Sequence, residues 1–198
     1  MRKLKIAMFA SGTGSNARNM FEFFSKHPFI QVDVLITNKG NIGAIEHARN
    51  YKIPYLSFQN EAFETGEKVL EELQNRKING IVLAGFLRKI PERMIKNYPS
   101  TILNVHPALL PKYGGKGMYG DHIHKKVIEN RETETGITIH VVNEKFDEGA
   151  IIAQFYTSLS DNDNLEAVKT KIHALEQAYF PVVVEQYFKT KLKNAQES

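Results

Sequence analysis

Residues 5–17, KIAMFASGTGSNA, lead an apolar run through two glycines into a helix. Behind the glycines, Ala17, Met20, Phe21 and Phe24 fall at i, i+3, i+4 and i+7, one face of a helix. Strand, glycine turn and amphipathic helix in that order form the first half of a βαβ unit, which commits the chain to an α/β fold. The basic start followed by Ile6–Ala10 also resembles a signal peptide. That apolar run is shorter than the about 7–15 residues a signal requires, so a first strand is the better reading.

The alternation continues. Residues 32–37, 81–85 and 101–105 read as further strands, 42–51 and 61–77 as helices, with a short strand near Pro54–Leu56. Such alternation predicts a Rossmann-like, mostly parallel sheet with helices on both faces and right-handed crossovers. Past residue 112 the pattern changes. KYGGKGMYGD is too rich in glycine for a regular element, a helix is expected at about 121–130, and 136–143 and 151–159 read as an antiparallel strand pair around EKFDEG. The last helix carries Leu165, Val168, Ile172, Leu175, Tyr179 and Val182 as a buried stripe, and Pro181 is expected to kink or restart it. With no linker or repeat, the expectation is one domain over 1–198, with halves 1–100 and 101–198.

The 26 basic and 22 acidic residues are well mixed, for a net charge of +4, and only the tail Lys189–Lys193 is one-signed. This suits small anionic ligands and lacks the basic, aromatic-interleaved patch of a nucleic-acid binder; the tail reads as a solvated helix end. The chain has no cysteine, which excludes disulfides, a thiol nucleophile and cysteine-ligated metal. No apolar stretch nears the ~20 residues of a membrane span. These features fit a cytoplasmic protein.

Gly12-x-Gly14-x-x-Ala17 satisfies the dinucleotide fingerprint, and Ser15 and Asn16 are good helix-capping types. Glycine lets backbone approach an anion, and a helix N-terminus offers N–H groups to it. The alternative is a ligand-free tight turn. NAD would require an acidic residue at the end of the second strand, where Asn38 and Lys39 stand instead. A lone phosphate fits better, with NADP as the weaker choice.

Open parallel sheets bind ligands beyond the carboxyl ends of their strands. Asn104 and His106 of NVHPALLPKYGG lie there, as do Phe86 and Arg88, and the Asp147 loop can join them. An amide, an imidazole and a carboxylate can stabilise an oxyanion and move a proton, the needs of acyl transfer. A His-Pro turn and an Asp-Glu-Gly hairpin turn would use the same residues. His122 and His124 form an HxH pair, read as surface or supporting histidines because no third ligand has clear spacing.

ASGTGSN (10–16), VLAGFLRKI (82–90), LNVHPALLPKYGG (103–115), GITIHVVNEKFDEGAII (136–152) and HALEQAYFP (173–181) occur in an order and spacing that resemble the glycinamide ribonucleotide formyltransferase family of purine biosynthesis, over nearly the whole chain. The resemblance implies the formyltransferase fold and direct transfer of a formyl group from 10-formyltetrahydrofolate, a co-substrate, to the amine of glycinamide ribonucleotide, with no metal. It places the catalytic groups on Asn104, His106 and Asp147. Ribonucleotide contacts fall on Gly12, Gly14, Ser15 and Asn16, and on Glu176 with His173. Folate contacts fall on Leu87, Arg88, Lys89 and Ile90 and on Asn143, Glu144 and Asp147, with Thr138 and His140 supporting the site.

Two departures stand out. The loop GGKGMYGDHIH is longer than the PG-x-H version common in the family, and an arginine that meets the folate tail is replaced near Gly66. Relatives on the same core add an N-terminal regulatory domain or a C-terminal tRNA-binding domain; this chain is expected to carry neither. Small-molecule substrates, no nucleic acid, no membrane and a monomer or weak homodimer complete the expectation. The competing reading is a nucleotide-binding oxidoreductase or regulatory protein that uses the glycine loop alone.

Overall fold

The computed structural model describes residues 3–99 and 101–194, with side chains through Lys191, so the Lys193 side chain of the basic tail lies outside the described residues. Among the described residues, seven strands lie in the order β3-β2-β1-β4-β5-β6-β7. The chain divides into two compact units, Met1–Asn104 with Val141–Phe146, and Val105–His140 with Asp147–Ser198.

In the first unit, β1 (Leu4–Phe9), β2 (Ile30–Thr37), β3 (Tyr55–Ser57), β4 (Gly80–Leu83) and β5 (Ile102–His106, whose last two residues belong to the second unit) run parallel. Between them run α1 (Ser15–Phe24), α2 (Gly43–Asn50), α3 (Ala62–Thr65), α4 (Glu67–Asn75) and α5 (Glu92–Asn97). β4 is buried throughout and β1 nearly so, which is why both read as unbroken apolar runs rather than alternating ones. Phe9, Phe63 and Phe86 meet in the core, with ring centroids 5.3 Å apart for Phe9–Phe86 and 5.1 Å for Phe63–Phe86. Each such pair adds about 0.5–1.5 kcal/mol beyond the area it buries. Phe86, expected among the strand-end site residues, is therefore a core residue.

The helix expected over 61–77 is two helices. Gly66 adopts φ 73°, ending α3 and starting α4, and a side chain there would press on Pro91 and Met94. Helix α5 was not foreseen: its six residues, with Met94 and Ile95 buried, are too few to display a period.

In the second unit, β6 (Glu134–Val141, its last residue in the first unit) and β7 (Ile151–Ser158) pair antiparallel, with Ile137 opposite Phe155 and Thr138 opposite Gln154. Helix α6 (Asp121–Glu129) buries Ile123 and Val127 with Ala108. Helix α7 runs unbroken from Leu165 to Asn194 with Pro181 inside it, so proline does not restart the helix. The packing of Phe180, Val183, Val184 and Phe188 outweighs the one backbone bond that proline removes.

The expected stripe holds for Val168 and Ile172, which are buried, and fails for Tyr179 and Val182, which are 40% and 36% exposed. A heptad pattern drifts about 20° per repeat around a straight helix, so the buried face has moved on by the second half. Tyr179 instead stacks flat on Phe155 of β7, centroids 3.9 Å apart. Among the described residues no helix is long and apolar enough to cross a membrane.

Candidate active site

Helix α1 opens directly behind the glycine loop. Gly14 is its N-cap, in the left-handed conformation (φ 81°), and as glycine it brings no capping side chain of its own. A Cβ at Gly14 would lie 2.5 Å from the Ala44 Cα of α2, whereas a Cβ at Gly12 meets nothing within 4 Å. A helix N-terminus beside open space is what an anion requires. Ser11, which sequence reasoning passed over, fixes this loop. Its buried hydroxyl donates to Asn38 Oδ1 (2.7 Å) and accepts from the Leu87 N–H (3.1 Å). Asn38 in turn donates to Asn60 Oδ1 at 3.0 Å. The position where a dinucleotide fold places its ribose-binding carboxylate is thus spent on holding the loop.

The expected folate segment divides by burial. Leu87 is 55% exposed, Arg88 is half-buried, Lys89 lies with its ammonium 5.6 Å from the centre of the exposed Phe146 ring, and Ile90 is buried in the core. Asn143 Oδ1 accepts the Lys145 N–H at 3.0 Å, shaping the loop that carries exposed Glu144.

β5 presents Asn104 and His106 at alternate positions, which on a strand leave on the same side. Within the second unit, Asp147 Oδ1 lies 3.6 Å from His106 Nδ1 and 3.6 Å from His140 Nε2. Its Oδ2 accepts the Gly115 N–H at 3.0 Å. His106 Nε2 is 2.8 Å from the Tyr113 carbonyl oxygen, which can only accept, so Nε2 carries the proton and Nδ1 is the ring's basic atom. Burial pushes the His106 pKa below the ordinary histidine value; Asp147 and the Tyr113 carbonyl oppose that without overcoming it. A buried, neutral imidazole therefore turns its lone pair toward a carboxylate.

Thr138 supports the loop that follows. Its hydroxyl donates to the Ala108 carbonyl (2.7 Å) and accepts from the Leu110 N–H (3.0 Å), while Gln154 donates to both the Leu110 carbonyl and Thr138 at 2.9 Å.

Among the described residues, five non-glycine residues have positive φ: Lys52, Lys77, Tyr113, Arg131 and Asp147. Lys52, Lys77 and Arg131 directly follow the C-caps of α2, α4 and α6, where left-handed residues commonly end helices. The other two, Tyr113 and Asp147, both contact His106. Such backbone costs about 1–3 kcal/mol and persists where the surroundings enforce it.

On α7, Glu176 is largely buried and His173 half exposed, with Nδ1 to Oε2 3.9 Å. Of the HxH pair, His122 is exposed but His124 is buried on the inner face of α6, so only His122 is a surface residue. His124 Nδ1 is, among the described residues, the buried side-chain atom left without a hydrogen-bond partner. Burial lowers its pKa, Asp121 opposes that, and Lys169 and His106 add to it.

Because an unfolded histidine protonates near about pH 6.5 and this one resists, the unfolded state binds the extra proton. The stabilisation is full above that pH and is lost as pH falls through it. His124→Gln should therefore narrow the gap in Tm between about pH 7.5 and 5.5, at ~2–4 °C for each kcal/mol. A variant that keeps the whole wild-type gap would exclude His124 as the source.

A family model described as formyl transferase matches residues 4–184. The chain is 39% identical to the chloroplastic phosphoribosylglycinamide formyltransferase of Arabidopsis thaliana, with 92% of this chain aligned and 65% of that protein's length spanned. It is 32% identical to the phosphoribosylglycinamide formyltransferase of Bacillus subtilis over 92% of this chain and 93% of that one. The crystal structure of the Bacillus halodurans phosphoribosylglycinamide formyltransferase superposes with a TM-score of 0.83 at 32% identity, covering 92% of this chain and 94% of that one.

Proposed function

The chain belongs to the formyl transferase family, and from that premise we propose that it moves the formyl group of 10-formyltetrahydrofolate to the amine of glycinamide ribonucleotide. The products are formylglycinamide ribonucleotide and tetrahydrofolate, in de novo purine biosynthesis. The observation that carries this reading is the meeting of His106, His140 and Asp147 on one carboxylate oxygen, beyond the end of β5.

Attack of the amine forms a C–N bond to the formyl carbon, leaving negative charge on oxygen and positive charge on nitrogen. A proton must leave that nitrogen, and one must reach the folate nitrogen before its bond to carbon breaks. A single group that accepts a proton and returns it balances the reaction. His106 Nδ1 and Asp147 Oδ1 face each other across 3.6 Å and serve as that group. His106 donates to the formyl oxygen from Nδ1 once protonated, since its Nε2–H is committed to Tyr113. Asn104 supplies the neutral amide donor.

In this reading Gly12, Gly14, Ser15 and Asn16 hold the substrate phosphate, and Glu176 with His173 meets the rest of the ribonucleotide. Leu87–Ile90, chiefly through backbone groups, and Asn143, Glu144 and Asp147 hold the pteridine. Thr138 and His140 support the centre. The enzyme acts as a single domain with a ribonucleotide half over 1–100 and a catalytic and folate half over 101–198. It works in the cytoplasm without metal, nucleic acid or membrane, as a monomer or weak homodimer. The mixed distribution of its 26 basic and 22 acidic residues supports small anionic substrates.

The test is turnover followed by absorbance of the folate product and mass measurement of the ribonucleotide product, with NADPH binding measured in parallel. Equal amounts of both products, requiring both substrates, are expected. Formate released without ribonucleotide would indicate a hydrolase, and NADPH binding without formyl transfer would favour the oxidoreductase reading.

A further inference from the structure

Tyr113 does more than lend a carbonyl. Its phenol donates to Glu132 Oε1 at 2.8 Å and accepts from Asn130 Nδ2 at 2.7 Å. Lys112 Nζ reaches the same carboxylate at 3.0 and 3.2 Å. Hydrogen bonds from Tyr113 first and Lys112 second hold the Glu132 carboxyl below its ordinary pKa. Asn130 and Glu132 stand immediately behind α6, either side of left-handed Arg131. Tyr113 is left-handed too, and GGKGMYG follows it, seven residues of which four are glycine. It is the side-chain anchor before a run with few of its own.

We propose that Glu132, assisted by Asn130, is a positioning residue for the reaction: by gripping the Tyr113 phenol it aims the Tyr113 carbonyl at His106 Nε2, and so fixes the tautomer that leaves Nδ1 facing Asp147. The kinetic part of this rests on the formyl-transfer reading; the tautomer part does not. A carbonyl donates nothing, so while it is aimed at Nε2 the ring must hold its proton there. If Tyr113 swings away, the Nε2–H loses its acceptor in a buried place, and moving the proton to Nδ1, toward Asp147, becomes the better arrangement. Nδ1 would then no longer be the basic atom. The clamp thus converts contacts on an outer loop into the protonation pattern of the centre, as partners behind a catalytic histidine do elsewhere.

The experiment uses the full chain with ¹⁵N-labelled histidine and the variants Tyr113→Phe, Glu132→Ala and Glu132→Gln. In the wild type His106 should show a protonated Nε2 and an unprotonated Nδ1. Tyr113→Phe and Glu132→Ala should mix the tautomers and lower kcat about 10-fold, within the ~10²-fold that a small misplacement can cost. KM for both substrates should stay within about twofold, as expected of an effect confined to the transition state. Glu132→Gln, which keeps an acceptor for the phenol, should recover most of the loss. A wild-type tautomer in a folded Tyr113→Phe or Glu132→Ala protein would overturn the proposal, as would a fall in Tm with kcat unchanged. If Tyr113→Phe does not fold, the two Glu132 variants decide. If the wild type shows no formyl transfer, the functional reading fails while the nitrogen spectra still decide the clamp.

Discussion

Replacing His106 with alanine or Asp147 with asparagine should each cut kcat steeply, and replacing both should cost little more than the worse of the two. Loss of positioned acid–base help costs ~10²–10⁴ and loss of one oxyanion donor ~10²–10³. The two losses overlap because the atoms are not independent. Nε2 is committed to the Tyr113 carbonyl, so the only site on His106 that can gain or give a proton is Nδ1, 3.6 Å from Asp147 Oδ1. A proton that leaves the substrate amine is held by this pair, and either member alone lacks its partner. Groups that act as a unit show such non-additivity. kcat at saturating substrates across the four proteins is the measurement. Fully multiplicative losses would make the residues independent, and a near-wild-type rate in either single variant would remove that residue from the mechanism.

What could be read beforehand follows from what residue types encode. Buried strands such as Leu4–Phe9 and Gly80–Leu83 announce themselves as apolar runs, and the glycine turn after β1 has one common outcome. The approximate place of Asn104, His106 and Asp147 was legible because polar residues just past apolar runs fall at strand ends. The protonation pattern of His106 was not, because it depends on a backbone carbonyl at Tyr113, and every residue has one. Burial on short or drifting helices was equally hidden. Met94 and Ile95 lie on a helix too short to show a period, and His124 in HxH looks the same inside or out. Ser11 escaped notice because its neighbours Gly12 and Gly14 carry the recognisable pattern, while its own partners, Asn38 and Leu87, are distant in the chain.

The two glycines of that pattern should fail in different ways when replaced. Gly14→Val puts a β-branched residue at φ 81° and its Cβ 2.5 Å from the backbone of α2. The left-handed conformation alone costs about 1–2 kcal/mol, and a backbone clash cannot relax by rotating a side chain. With about 1–3 kcal/mol more for the clash, at ~2–4 °C for each kcal/mol, a Tm lower by about 5 °C or more is expected. That variant therefore reports on folding, and a higher KM in it would say little about phosphate. Gly12 is the informative position. Its Cβ would enter space empty to 4 Å at the mouth of the loop, so Gly12→Ala should keep the wild-type Tm within about 2 °C. If a phosphate sits in that space, the methyl group displaces it from the α1 N-terminus. The loss of charge-assisted hydrogen bonds, ~1.5–3 kcal/mol, corresponds to a rise of roughly 10- to 100-fold in KM for the ribonucleotide. KM for the folate should not move. Unchanged KM for both substrates in folded Gly12→Ala would take the loop out of the binding site and leave it a turn.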